Sequence, residues 1–412
     1  MKQSVQGQTM KPMELDLIGQ YYASIINRKQ SGVFALSAHL KEPIDPRILQ
    51  QAVNDLMRRL PFLNGRLKRS FFHYKNEILT APPQVKPAGA EPLFCNYYNR
   101  GSRHMLSIVY GERHFTVRTT HIICDGRSLS KIICAVLLRY YELLGVEADK
   151  SDIIDCSGHF QSEEAENAYG RFANPAAEVE KSSPNVKAYR LKSSKSAPQK
   201  VLTKTFAGDK VKAAAKAHRA TVTEYLSAQI LSGIAKERNG KGDKRPVIIM
   251  IPIDGRSFFP CRTLRSFVST SAIVMPETED FSEMVRQVSA QFERINKESV
   301  QKDINELQNP YHSIRYVPRV LKVFVMKRFE RSKYLSQTTG FSNLGLIKLP
   351  LEVESRVERL EFSISLEQDS SYFFSCATVG NTLAFTATFR EEGRDVVETV
   401  MKRLESPKMQ YS

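Results

Sequence analysis

The sequence predicts an α+β protein built as two halves joined by a polar crossover. The chain has 412 residues, enough for two domains that each bury a core. β-Branched and alternating stretches are interleaved with amphipathic ones, in no strict strand–helix–strand order. That pattern favours layered sheets and helices over a doubly wound parallel sheet. Residues 146–200 are rich in Ser, Lys, Glu and Pro and hold few sustained apolar periods. The expected division is therefore 1–160, a crossover at 161–200, and 201–412.

The elements follow in order. Residues 31–40 read as a strand, and Asp45-Pro46 opens a helix to about Leu60, with Asp45 as N-cap and Pro46 at the first helical position. Its apolar positions Ile48, Leu49, Ala52, Val53, Leu56 and Met57 have helical spacing. Strands are expected at 66–73, 77–79, 104–110 and 111–120, the last running into Thr120-His121-Ile122-Ile123-Cys124-Asp125-Gly126. A helix is expected over 128–141, with Ser128 as its N-cap. Inside the crossover a short helix is expected at 163–172. In the second half, strands are expected near 201–206, 246–252, 340–349, 357–366, 372–379 and 382–389. Helices are expected near 209–218, 223–236, 282–297, 317–331 and 395–404. The helix at 223–236 is opened by a capping box, Thr221 with Glu224.

Composition narrows the function. Lys and Arg number 60 against 44 Asp and Glu, a net charge of +16, spread unevenly. Residues 181–245 hold 16 bases and 4 acids, whereas 146–180 hold 9 acids and 2 bases. No recognition motif or aromatic platform accompanies the basic stretch, so nucleic acid is not the expected partner. Coenzyme A phosphates, an acidic carrier protein or an anionic membrane suit such charge equally. The six cysteines are scattered without a Cys-x-x-Cys pair, which argues against a zinc site and a disulfide framework. The first residues lack an apolar signal core and no apolar run could span a bilayer, so a cytoplasmic protein is expected; separately, no tightly bound cofactor is expected.

The chemistry centres on His121 and Asp125. A spacing of four on a strand-to-helix turn lets an imidazole face outward while a carboxylate points inward, and His is the usual general base near neutral pH. Cys124 lies in the same turn, where a Cys–His dyad is the alternative to a small residue on the inner face. Far along the chain, Ile253-Asp254-Gly255-Arg256 is followed by Leu264-Arg265-Ser266-Phe267-Val268-Ser269-Thr270.

Taken together these stretches resemble the condensation-domain-like superfamily of acyltransferases, which includes nonribosomal-peptide condensation domains, plant BAHD enzymes and alcohol acetyltransferases. Condensation domains carry His-His-x-x-x-Asp-Gly, a Gly-Arg at a strand end, and Gly-x-Phe-Val-Asn-Thr. Here the counterparts are Thr120 to Gly126, Gly255-Arg256, and Ser266 to Thr270 with Ser269 in place of Asn. The segments from Ala38 to Leu63 and Phe341 to Gly345 also resemble family segments, and Asp-Phe-Gly-Trp-Gly of the plant branch is missing.

The resemblance implies two chloramphenicol acetyltransferase-like subdomains forming a pseudo-dimer, with a tunnel between them. It implies acyl transfer from acyl-CoA, or from an acyl carrier protein, to a small-molecule alcohol or amine. His121 would be the general base. Asp125 would be turned away from substrate and paired with Arg256, and Gly126 would permit close backbone passage. Alternatives are a freestanding condensation enzyme that forms amides from carrier-bound substrates, or a non-catalytic thioester-binding member. The basic turn with Lys241, Lys244 and Arg245 is the candidate donor-binding segment. The basic helix over 316–331 could lie on an anionic membrane, but the expectation is that its apolar face packs on the domain and its lysines stay in solvent.

Overall fold

The structure is a computed structural model. It describes residues 12–27, 30–94, 103–174, 176–177, 186–191, 193–194, 197–314, 316–367 and 370–405. The first residues and Cys95 therefore lie outside the described residues.

The first half forms around the strand that ends in the motif. Val33–Leu40 and His114–Thr120 pair antiparallel, with Val33 opposite Thr120. Ser107–Tyr110 and Lys86–Pro87 extend this sheet on one side. The β-branched residues of His114–Thr120 stand buried on both faces, as expected of a central strand. Asp45 caps Pro46–Arg59 by accepting from the Arg47 amide at 2.7 Å. This helix packs beside Gly126–Leu143, and Leu49, Val53, Leu56, Ile132 and Val136 enter one core. A small three-stranded sheet of Met13–Glu14, Tyr74–Ile78 and Gly65–Arg69 flanks them.

The second half is a six-stranded mixed sheet. Its order is Val268–Val274, Ile248–Asp254, Thr339–Leu346, Tyr372–Val379, Thr382–Phe389 and Lys200–Ala207. Thr339–Leu346 runs parallel to both neighbours and the other pairs are antiparallel. A register shift after Asn343 accompanies Gly345 at φ 71°, a backbone conformation that glycine adopts without steric cost. Val222–Gly240 packs between Arg394–Glu405 and Phe281–Phe292 over a second core, and it starts with the predicted Thr221–Glu224 capping box.

Several elements differ from the sequence expectation. Val357–Ile364 does not join the second sheet: it pairs antiparallel with Val33–Leu40, so the late chain lends an edge strand to the first half. Alternation tells which face of a strand is buried but not which strand is its neighbour. The expected helix at 282–297 stops at Phe292, and a separate helix, Lys297–Ser313, follows. Leu17–Ile25 is a helix and Val268–Val274 a strand that the sequence reading did not assign. The motif helix begins at Gly126 with Asp125, not Ser128, as its N-cap.

The crossover contains a 3-10 turn at Ser162–Ala165 and a helix at Ala168–Phe172. It is pinned to the first half, because Arg59 donates two bonds to the buried Glu164 at 2.6 and 2.7 Å. It meets the second half through Tyr169, whose ring stands edge-on to Phe267 at 5.2 Å. Among the described residues no helix is long and apolar enough to cross a membrane.

Candidate active site

His121 is the first residue beyond His114–Thr120, in the tight turn before Gly126–Leu143. Its imidazole lies between two aromatic rings, stacked on Tyr22 at 4.7 Å and tilted against Phe34 at 4.5 Å. Phe34 comes from the neighbouring strand. Tyr22 comes from Leu17–Ile25, which approaches the turn so closely that a Cβ on Gly19 would stand 2.6 Å from the Ile122 carbonyl oxygen. Burial pulls the imidazole down from 6.5 to about 4, with Asp125 and a hydrogen bond to the Cys124 backbone opposing the shift only in part. His121 is therefore neutral at pH 7 and able to take a proton.

Asp125 is fully buried. One oxygen accepts from the Ser128 amide at 2.8 Å and so caps the motif helix. The other accepts from the Phe267 amide at 2.9 Å and from Arg256 at 2.9 Å. Burial alone would raise this carboxyl. The guanidinium of Arg256 and the two amides outweigh it and hold the group below the ordinary carboxylate range.

Arg256 uses every donor it has. Nε goes to the Thr263 carbonyl, one terminal nitrogen to Asp125 and Asp254, and the other to the Ser128 hydroxyl and the Arg265 carbonyl. The contact with Asp125 is thus a single charged bond rather than a bidentate fork. The second prong reaches the first turn of the motif helix through Ser128, so Arg256 joins the two halves at two points.

A second buried pair backs the first. Asp16 caps Leu17–Ile25 through the Gly19 amide at 2.7 Å and accepts from Arg265 at 3.0 Å. Here burial outweighs the arginine and Asp16 is raised. Next to Arg265, the Ser266 hydroxyl donates to the His121 carbonyl at 3.1 Å. The stretch from Arg265 to Phe267 therefore braces the turn from outside the half that carries it.

His121 and its two flanking rings stand at the wall of a cavity of about 470 Å³. His121, Tyr21, Tyr22, Phe34 and Gly126 line it from the first half. Met250, Asp254, Val268, Asn343 and Phe373 line it from the second, and Phe362 and Ile364 from the shared edge strand. At Gly126 a Cβ would stand 3.1 Å from both Leu344 and Phe362, so a larger residue would press on the cavity wall. Cys124 points away, fully buried beside the Thr119 hydroxyl at 3.7 Å, and burial pushes its thiol up. A nucleophilic Cys124 is not what this geometry serves.

The sequence-predicted residues separate into two groups. His121, Asp125, Gly126 and Arg256 are brought together. Lys241, Lys244 and Arg245 are not among the residues lining the cavity. They precede Ile248–Asp254 while Arg256 follows it, and a strand of that length spans about 20 Å. Lys241 pairs with Glu237 and Arg245 with Asp243. Tyr22, Gly19 and the Asp16–Arg265 pair were not singled out. Their signal was present as Asp16 ahead of Leu17, Ile18, Tyr21, Tyr22 and Ile25, an N-cap followed by helically spaced apolar residues.

No family model matches the chain, and no curated protein sequence matches it significantly. Solved structures do. The chain is similar to polyketide synthase associated protein 5 from Mycobacterium tuberculosis, at 16% identity and TM-score 0.66 over 97% of this chain and 98% of that one. It is similar to the epimerization domain of the third module of tyrocidine synthetase B, at 13% and 0.58 over 100% and 99%. It is also similar to the first condensation domain of the CDA synthetase, at 12% and 0.58 over 98% and 96%. The fold is thus condensation-domain-like over the whole chain, as an α+β pair of subdomains.

Proposed function

We propose that this protein transfers an acyl group from a thioester, acyl-CoA or acyl carrier protein, to an alcohol acceptor, with His121 as general base. The observation that carries the reading is an imidazole packed between two rings at the wall of a cavity lined by both halves. In the proposed step the acceptor hydroxyl attacks the thioester carbonyl carbon while His121 takes its proton. The tetrahedral intermediate then collapses, the C–S bond breaks, and the imidazolium returns the proton to the leaving thiolate. A positioned base of this kind typically contributes about 10²- to 10⁴-fold, and holding both reactants in one cavity supplies proximity. No covalent enzyme intermediate is required.

Asp125 and Arg256 are assigned a positioning role, since their charges are spent on each other and on backbone groups rather than on the cavity. Gly126 keeps the wall open. Coenzyme A enters this scheme only as a co-substrate. Lys241, Lys244 and Arg245 are assigned at most an attraction for an anionic donor through solvent, because they do not line the cavity.

A second reading, amide formation between carrier-bound substrates, draws on the likeness to a nonribosomal condensation domain. Incubation with acetyl-CoA and a panel of alcohols, followed by free-thiol release and ester detection, tests the first. Turnover only with carrier-loaded donors and an amine favours the second. Thioester binding without turnover of any donor would leave a binding protein and reject both.

A further inference from the structure

Among the described side chains of the helix Arg319–Leu335, a lysine is buried and four large apolar residues are exposed, against the expectation that the apolar face packs on the domain and the lysines stay in solvent. Inward positions of the helix include Lys322, only 4% exposed, Met326, and the half-buried Val323 packed on the first core. The Lys322 ammonium lies 3.2 Å from a His73 ring nitrogen and over the Tyr311 ring. Outward stand Val320 at 70% exposed, Leu321 at 58%, Phe324 at 71% and Val325 at 57%. At 3.6 residues per turn these four, with the exposed Lys327 and Arg328, fall within an arc of about 160°. Burying a lysine while four large apolar side chains face solvent is unfavourable for a surface that only meets water.

The patch extends beyond the helix. The Arg319 amide bonds the Phe71 carbonyl at 3.0 Å, which fastens the turn between Gly65–Arg69 and Tyr74–Ile78 beside the first helical turn. Phe71 is 71% exposed there, and Tyr316 is exposed just ahead of the helix. Residues 316–335 carry six Lys or Arg and one Glu.

We propose that this face docks on an anionic lipid bilayer, with Phe71, Val320, Leu321, Phe324 and Val325 entering the interface and Lys327 and Arg328 meeting the headgroups. Apolar and aromatic side chains on one face of a helix, with cations on the same arc, are what interfacial binding requires. The strong local excess of bases repels a second copy of the same patch and attracts anionic headgroups.

The docked helix packs on Leu17–Ile25, which supplies Tyr21 and Tyr22 to the cavity, and the chain just after it supplies Gln337 and Thr338. The catalytic cavity is then one helix away from the bilayer. The inference does not rest on the acyl-transfer reading, because its test contains no substrate.

The test is co-sedimentation of the full chain with vesicles of phosphatidylcholine alone and of phosphatidylcholine mixed with phosphatidylglycerol. Binding is expected to the mixed vesicles and to weaken as salt rises. Phe324→Asp/Val325→Asp should abolish it. Lys327→Glu/Arg328→Glu should weaken it by roughly tenfold or more and flatten its salt dependence. All four substituted positions lie outside the cavity, so thermal unfolding should match the wild type. Absence of binding to the mixed vesicles, or binding unaffected by both double variants, overturns the proposal. So does concentration-dependent dimerisation in light scattering that Phe324→Asp/Val325→Asp alone abolishes, with no vesicle binding.

Discussion

His121 and Asp125, four residues apart, are both held below their ordinary values, one by losing solvent and the other by gaining donors. The consequence for pH is specific. As pH falls, an unfolded chain protonates His121 near 6.5, whereas the folded chain does so only near 4. The folded state binds fewer protons in that window, so stability is lost between those values and levels off below them. His104 and His114, also lowered by burial, act in the same direction. Unfolding midpoints of His121→Ala should therefore fall less steeply than wild type from pH 6.5 to 4. Equal slopes would mean that His121 is not buried neutral. The acid limb of kcat/KM belongs near 4 rather than 6.5 by the same argument. At this scale His121, Asp125, Gly126 and Arg256 were legible in the sequence because each belongs to a short string of fixed chemistry. The rings that flank His121 were not, since Tyr22 and Phe34 are ordinary apolar positions until the fold places them.

At the scale of elements, the motif turn is held by pieces far apart in the chain. Asp125 caps one helix and accepts from Arg256 and Phe267 of the other half. Removing one partner of such a buried pair commonly costs about 3–5 kcal/mol, because the other charge is stranded. Asp125→Asn and Arg256→Met should each lower stability by that order in denaturant melts. The double variant should lose less than the sum, since it strands no charge on either side. Strict additivity would remove Arg256 as the partner.

Gly19 makes a second test. Gly19→Val must push Leu17–Ile25 off the Ile122 carbonyl and carry Tyr22 away from His121. The variant should stay folded but lose thioester turnover by roughly tenfold or more, of the size expected for a small misplacement. Unchanged turnover would show that Tyr22 does not position the base. The helices with strong caps, Pro46–Arg59 and Val222–Gly240, were readable to within a few residues. The partner of Val357–Ile364 was not, because pairing is set by the assembled sheet rather than by the strand itself.

Across the whole molecule, the cavity exists because two sheets meet, with Arg256, Phe267 and the crossover residue Tyr169 at the junction. The separation of the basic turn from this cavity limits what it can do. Charges that do not line the cavity act on a donor through solvent, and at ordinary salt that attraction fades over about 8–10 Å. Neutralising Lys241, Lys244 and Arg245 together should raise the donor's KM at low salt and leave it unchanged at physiological salt. A loss that persists at high salt would mean direct contact with the donor. The most direct test of the account is the turnover of His121→Ala, assayed as free thiol released from an acyl thioester in the presence of an alcohol acceptor. The account predicts a folded protein with wild-type stability at pH 7 and a rate lowered by about a hundredfold or more. A folded variant that still makes ester at the wild-type rate would contradict it.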